Sequence, residues 1–328
     1  MDIILNTFGV SINCEKGCFV IRNREGEQKI PVEGIKTIVL CKGAQITTDA
    51  IFLAIENEID ILFNDRSGKP AGRIWSPKYG SISTIRKGQL NFIHTKEAFI
   101  WIREVIIKKI ENQQALISMM PTPTQAHKHH REKAIARLQE YVEKIQLLEA
   151  ESITEVSSQL RGWEGASSKI YFEAINYFVP EHYKFNGRSQ RPAKDVFNVL
   201  LNYGYGMLYG KVEGALIKAG IDPYIGILHR DEYNRPVLAY DVIENFRVWI
   251  DYVVYNIIQQ NIITEEFYSV REDGSYWLEN LGRRVIIQSI NEYLEDTITV
   301  KGLSRSRSTH LQLYAQDLAQ LFKQNSKV

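Results

Sequence analysis

Cysteine is scarce in this chain: Cys14, Cys18 and Cys41 are the three present among 328 residues. So few and so scattered a set cannot build a disulfide framework. The Cys14-x-x-x-Cys18 spacing has no second Cys or His pair nearby to complete a structural zinc site, so both read as small strand residues. No apolar run reaches the ~18 residues that a membrane span requires. The opening residues, MDIILNTFG, lack the basic flank and apolar stretch of a secretory signal. These absences give the reducing cytoplasm as the expected location. An excess of one charge is also missing. The 40 Lys and Arg face 39 Asp and Glu, for a net charge of +1, so no global field draws a polyanion. None of the seven histidines has Glu three positions before it, which excludes the Glu-x-x-His pairs of a helical di-iron enzyme.

The length leaves room for two domains and a good core. Residues 1–90 read as β-rich. Short runs of β type (Asp2 to Asn6, Cys18 to Ile21, Lys36 to Leu40, Ile59 to Phe63) alternate with Gly9, Gly17, Gly26, Gly34 and Gly43. Further strand-like sequence follows at Arg73 to Trp75 and Ser81 to Ile85. One helix, Ala50 to Asn57, is capped from Thr47-Thr48-Asp49. No catalytic constellation stands out here, so docking or dimerisation is the expected role, with Arg86, Lys87 and Gln89 at the exit. From Leu90 the apolar spacing becomes helical; it continues to Ile263, resumes from Leu278 to Leu294, and ends in a terminal helix over Leu311 to Phe322. The expectation is α+β: a β-rich domain over 1–90 and an all-helical one over 91–328.

Three stretches of the helical part carry possible chemistry. Glu164 lies on or beside the apolar stripe of a helix over about 152–178, among Gly162, Gly165, Ala166, Ser167 and Ser168. A carboxylate there must be paired, hydrogen-bonded or metal-ligating. A buried ion pair with Arg161 and close approach of a ligand both fit. The segment from Ile221 to Arg247 places His229 after an apolar run, Asp241 twelve residues on and Glu244 three further. Residues three apart share a helix face. An imidazole beside clustered carboxylates suits Mn²⁺ or Mg²⁺. A hydrogen-bonded core histidine with acids at a helix start gives the same pattern. The third stretch, His182 to Lys194, carries Lys184, Arg188, Arg191 and Lys194 without an acid, interleaved with Tyr183 and Phe185. It fits a solvated loop or a phosphate-backbone contact. Asn202 and Tyr205 on the following helix fit either bundle-interior polar groups or substrate contacts. His127, His129 and His130 open a basic helix start, a solvated one in preference to a metal site because adjacent helical residues do not face one another.

Taken together these blocks resemble the CRISPR-associated endonuclease "Cas one" family, the DNA integrases of spacer acquisition, over nearly the whole chain. The resemblance rests on Arg161-Gly162-Trp163-Glu164-Gly165-Ala166 with Tyr171-Phe172, on Asn198 through Tyr209, and on Ala219 through His229. It continues through Arg235, Asp241, Glu244, Phe246 and Arg247. Val196 and Pro236-Val237 depart from the family's usual residues, and neither is a proposed ligand. The resemblance implies a divalent metal, Mg²⁺ or Mn²⁺, on Glu164, His229 and Glu244, with Asp241 as a further acidic catalytic position. It implies that the 3′-hydroxyl of a spacer fragment attacks a phosphodiester of the CRISPR repeat, and that water in its place gives endonuclease activity. The implied partners are duplex DNA, a second copy of the chain, and a small "Cas two" protein bridging two dimers, with no membrane.

Lys184, Arg188, Arg191, Lys194, Arg230, Arg235, Arg247 and Tyr205 are the expected DNA contacts. Arg247 pairs equally well with Glu244 or Asp251 at helical spacing. The rival to the catalytic reading is a nucleic-acid-binding scaffold in which Glu164 and His229 are structural polar groups.

Overall fold

A computed structural model describes residues 2–24, 26–35, 37–65, 70–74, 82–190, 192–229 and 235–326. The β-rich part comes first. Strands β1 (Asp2–Leu5), β2 (Ser11–Glu15), β3 (Cys18–Asn23) and β4 (Gly26–Pro31) precede β5 (Thr37–Cys41), β6 (Gln45–Ile46), β7 (Asp60–Asn64) and β8 (Pro70–Arg73). They form two four-stranded sheets, ordered β4-β3-β2-β6 and β1-β5-β7-β8. In the second sheet β1, β5 and β7 run parallel and β8 is antiparallel. Helix α1 (Thr48–Glu56) is capped by the Thr47 hydroxyl, which accepts from the Ala50 N–H. It crosses from β6 to β7 and closes a core of Ile12, Phe19, Ile38, Leu40, Ala50, Ala54 and Ile61. The capped helix and strands β1, β3, β5 and β7 fall where glycine punctuation and β-branched runs place them, while β2, β4 and β6 lie in stretches those signals do not single out.

The helical part begins earlier than its apolar spacing suggests. Of the stretch Ser81 to Ile85, read as strand, Ser81 lies outside the described residues and Ile82 to Ile85 open α2 (Ile82–Phe92) instead. This helix packs against α10 (Arg307–Gln324) at the other end of the chain. Contact with a distant helix, invisible to local spacing, overrides the β propensity of Ile82, Ser83 and Thr84.

Then follow α3 (Lys96–Met119), α4 (Gln125–Gln146), α5 (Ile153–Phe178) and α6 (Val196–Lys218). Thr95, Thr124 and Asp195 cap α3, α4 and α6. The Met120 to Pro123 break separates α3 from α4, as the prolines require. Helix α6 is apolar all round, so it runs through the middle of the bundle. Short α7 (Val237–Ile243), then α8 (Arg247–Gln259) and α9 (Asn280–Glu295), complete it. The helical part is not purely helical. Hairpin β9 (Tyr268–Val270) with β10 (Tyr276–Leu278) and hairpin β11 (Thr297–Val300) with β12 (Leu303–Ser306) interrupt it. The strands have three and four residues, too short for alternation to register in the sequence. Among the described residues, no helix is long and apolar enough to cross a membrane.

The seam between α2 and α10 depends on Gly88. A Cβ there would overlap the Phe322 carbonyl, a backbone atom that cannot rotate away. Gly88→Ala is therefore expected to cost about 2 kcal/mol or more in urea unfolding. Gly206→Ala on α6, where an added Cβ meets open space, is expected to gain about 0.5–1 kcal/mol. Equal effects at the two positions would refute this account of the seam.

Candidate active site

Five segments meet at one small pocket. Helix α5 presents Arg161 and Glu164, the loop before α7 presents Leu228 and His229, α7 presents Asp241, and the α7–α8 joint presents Glu244. Ile102, Val105 and Ile106 of α3 form its apolar wall. The pocket holds about 20 Å³, room for roughly one water-sized occupant. A larger groove of about 470 Å³ adjoins it through Arg161, Leu228 and His229, with Ile93, His94 and Ile225 along its walls. Gln89 holds this side together. It is fully buried, donates to the Asp222 and Ile225 carbonyls and accepts from the Asp222 N–H. That places it inside the fold rather than on a docking surface.

Asp241 organises the loop that carries His229. Its carboxylate accepts the backbone N–H groups of Ile227 (2.8 Å), Leu228 (3.1 Å) and His229 (3.2 Å). Three consecutive amides converging on one anion form a nest. Gly226 lets the loop curl this tightly, since a Cβ there would overlap the His229 carbonyl. The same carboxylate lies 2.6 Å from His229 Nδ1. That contact assigns the imidazole proton to Nδ1 and leaves the Nε2 lone pair free to act as a ligand. Burial disfavours the imidazolium. The Asp241 hydrogen bond and the charges of Asp241, Glu244 and Glu164 outweigh it and raise the His229 pKa.

Glu164 and Glu244 are joined by a residue that the sequence reading did not single out. Lys109, on α3, contacts Glu164 Oε1 and lies 2.6 Å from Glu244 Oε2. The second contact is an ion pair without hydrogen-bond alignment, so Oε2 has no donor aimed at it. Arg247 Nε donates to Glu244 Oε1 at 2.8 Å. Burial pushes against the Glu244 carboxylate, but Arg247 and Lys109 win and hold its pKa at about 2. The same carboxylates outweigh burial at Lys109 and raise its pKa. Asp241 and Glu244 do not open a long helix as expected. They lie within and just beyond the seven-residue α7, where a helix C-terminus offers a carboxylate no favourable dipole. Local cations hold Glu244 instead. Asn112 of α3 donates to the Asn245 carbonyl and fixes the joint from the other side.

Other expectations fare unevenly. Arg161 does not pair with Glu164; it donates to the Leu228 carbonyl at 3.1 Å. Tyr205 is buried, its hydroxyl bonded to Asp251 and its ring between Arg188 (5.6 Å) and Arg247 (4.9 Å). Arg188 turns inward to Asn198 and Asn202. Those asparagines also donate to the Gly187, Ser189 and Gln190 carbonyls, so they pin the basic loop from within. Arg247 reaches Glu244 and the Tyr209 hydroxyl, not Asp251. Lys184 donates to the Asn176 and Tyr177 carbonyls at the end of α5. Lys194 and Arg235 are exposed. Arg191 and Arg230 lie outside the described residues. His130 stacks on Tyr177 with ring centroids 3.9 Å apart, so the histidine-rich helix start is an aromatic contact, not merely a solvated end.

The pocket suits a hard divalent cation in the chemistry of its donors: two carboxylates and one imidazole nitrogen. Among the described residues, though, no three such side chains already stand as a ligand set, and Lys109 is paired with both carboxylates. One signal could have exposed Lys109. It sits on the buried stripe of α3, between Val105, Ile106 and Ile110 on one side and Gln113 on the other. A lysine there needs a partner as much as Glu164 does.

The Glu244 pairing makes an acid-stability prediction. Its folded pKa is depressed, so its contribution is fully present above the ordinary carboxylate pKa of 4.5 and is lost as pH falls towards about 2. At pH 7, in chelator, Glu244→Gln is expected to lose on the order of 3 kcal/mol in urea unfolding. The gap to the parent protein narrows as pH is lowered. A gap that does not depend on pH would show that Glu244 acts by packing alone.

Comparison with known proteins agrees with this architecture. A family model described as "CRISPR associated protein Cas1" matches residues 3–292. The chain is 31% identical over 330 residues to the CRISPR-associated endonuclease Cas1 1 of Archaeoglobus fulgidus, covering 97% of this chain and 95% of that protein. Its fold is similar to a chain of a partial Cas6-RT-Cas1–Cas2 complex (TM-score 0.76, 24% identity, 100% and 97% of the two chains). It is also similar to a casposase bound to integration product (TM-score 0.73, 20% identity, 98% and 95%). The β-rich N-terminal part, the helical C-terminal part and the match over nearly the whole chain lead to one conclusion: this protein belongs to the CRISPR-associated protein Cas1 family.

Proposed function

We propose that the chain is a metal-dependent DNA integrase and endonuclease of CRISPR adaptation. It would join the 3′-hydroxyl of a spacer fragment to a phosphodiester of the CRISPR repeat. The observation that carries this reading is the His229–Asp241 pair, which fixes the imidazole so that Nε2 is the available nitrogen in the pocket that Glu164 and Glu244 line. Family membership and the relatives' names, endonuclease and casposase, support it.

Glu164, Glu244 and His229 Nε2 would hold Mg²⁺ or Mn²⁺. When bound, the cation lowers the pKa of the attacking hydroxyl and neutralises charge on the phosphate oxygens. The other residues have positioning roles. Asp241, with its oxygens taken up by three amides and an imidazole, sets the tautomer of His229 and is not free to ligate. Arg247 anchors Glu244 from within the bundle. The adjoining groove gives a DNA strand a way to the pocket, with Arg161 and His229 common to both.

In the exchange, the spacer's 3′-oxygen forms a bond to phosphorus and the repeat strand's 3′-oxygen leaves, taking a proton. One phosphodiester replaces another, so no energy source is required. Water in place of the 3′-hydroxyl gives cleavage.

The exposed Lys194 and Arg235 are the described members of the expected DNA-contact set that face solvent. Arg188, Lys184, Arg247 and Tyr205 serve the fold beneath them. The β-rich part would provide docking for a second copy, and two dimers would be bridged by Cas2 in the cytoplasm. The similarity to a chain of a Cas1–Cas2 complex supports that assembly.

The test is a strand-transfer assay with short duplexes and a repeat-bearing supercoiled plasmid in Mn²⁺, with and without the Cas2 partner. Wild type is expected to give joined product, and His229→Ala, Glu164→Ala or a 3′-dideoxy end background only. Asp241→Asn is expected to lose about 10–100-fold in activity while keeping its fold, as an orienting residue does. DNA binding without joining or cutting in any metal would leave the scaffold reading.

A further inference from the structure

Lys109 is the group in this site that the proposed chemistry does not use. Its side chain is 6% exposed, on a helix face otherwise given to Val105, Ile106 and Ile110. Its ammonium bridges Glu164 of α5 and Glu244 of the α7–α8 joint, two carboxylates from different elements. A cation is what brings such a pair together; without one the two anions repel across a partly water-excluded pocket. Resting on the metal-dependent reading above, we infer that Lys109 is a built-in placeholder cation. It keeps Glu164 and Glu244 assembled in the metal-free protein and must be displaced before a divalent ion can bind them.

Charge leads to the same result. Lys109 contacts one oxygen of each carboxylate, Glu164 Oε1 and Glu244 Oε2, and a divalent ion would draw on the same two side chains. The charged groups around it are Glu164, Glu244, Arg247 and, further off, Arg161 and the His229–Asp241 pair. Counting the carboxylates of Glu164, Asp241 and Glu244 against Lys109, Arg161 and Arg247, with His229 neutral, the metal-free cluster carries no net charge. A divalent ion that replaces the ammonium leaves a smaller excess of positive charge than one added beside it, where two cations compete for the same carboxylates. Because the ammonium already holds both carboxylates, metal entry is an exchange. Apparent affinity is the intrinsic affinity reduced by the fraction of protein in which Lys109 has moved aside.

This role differs from that of an ordinary structural lysine in a measurable way. Removing a purely structural lysine lowers stability and, by letting the ligands splay, weakens metal binding too. Removing a placeholder lowers stability without metal but strengthens metal binding.

The experiment is a Mn²⁺ titration of the full chain without DNA, followed by calorimetry and by the electron-paramagnetic signal of free Mn²⁺. It compares wild type, Lys109→Met, Lys109→Gln and His229→Ala. Both Lys109 variants are expected to bind Mn²⁺ about tenfold or more tightly than wild type. In chelator they melt at a lower temperature than wild type, and Mn²⁺ raises their melting temperature more than it raises that of wild type.

If wild type binds Mn²⁺, His229→Ala binds it poorly, and both Lys109 variants bind no better than wild type, the placeholder inference fails while the metal site stands. If none of the four proteins binds Mn²⁺, the inference and the metal-dependent reading fall together. Lys109 variants that remain unfolded even in saturating Mn²⁺ also overturn it, because the ion would then be unable to replace the ammonium.

Discussion

A buried ion-pair chain, Lys109–Glu164 and Lys109–Glu244–Arg247, is the interaction on which the site depends. It ties α3, α5 and the α7–α8 joint to one point. Buried charges are costly to desolvate, and removing one partner leaves the others uncompensated. The cluster is therefore a poor way to gain stability but an effective way to specify geometry. Around it the bundle is ordinary apolar packing, with Ile102, Ile106 and Ile110 of α3 fully or almost fully buried.

A second polar layer stands behind the first. Asp251 accepts the hydroxyls of Tyr171 and Tyr205 deep in the bundle. Tyr205 lies between the guanidinium groups of Arg188 and Arg247. Arg188 reaches the two asparagines that hold the 187–190 loop. A continuous set of hydrogen bonds and ring contacts thus runs from Glu244 to the surface loop. Apart from Glu244 Oε2, the buried polar groups in it have hydrogen-bond partners, which the low dielectric of the interior demands. Several basic residues that suggest DNA contact in the sequence are spent on this internal work.

Much of the fold was legible. Thr47 to Asp49 marked a helix start through cap chemistry, and Pro121 and Pro123 marked a stop. Thr124 and Asp195 cap their helices by the same chemistry, a signal present in the chain but not singled out above. The short hairpins after α8 and α9 were not legible, because three or four residues cannot display a period of two. Nor was α2, whose helical state comes from packing on α10 more than two hundred residues away.

In the site, the sequence by itself determined the donor types: Glu164 among small residues, and His229, Asp241 and Glu244 at intervals that let one loop fold back. It also carried a signal for Lys109, a charge on an apolar stripe. Only the tertiary structure decided the roles. Whether the Asp241 oxygens stay open or are taken up depends on three amides that reach them through a turn at Gly226. Whether Arg247 faces DNA or Glu244 depends on where α8 begins. Whether Arg188 is a surface charge or an interior strut depends on α6 lying beside it. Spacing along a chain tells which groups can meet. The competition among partners, settled by burial and distance, tells which do.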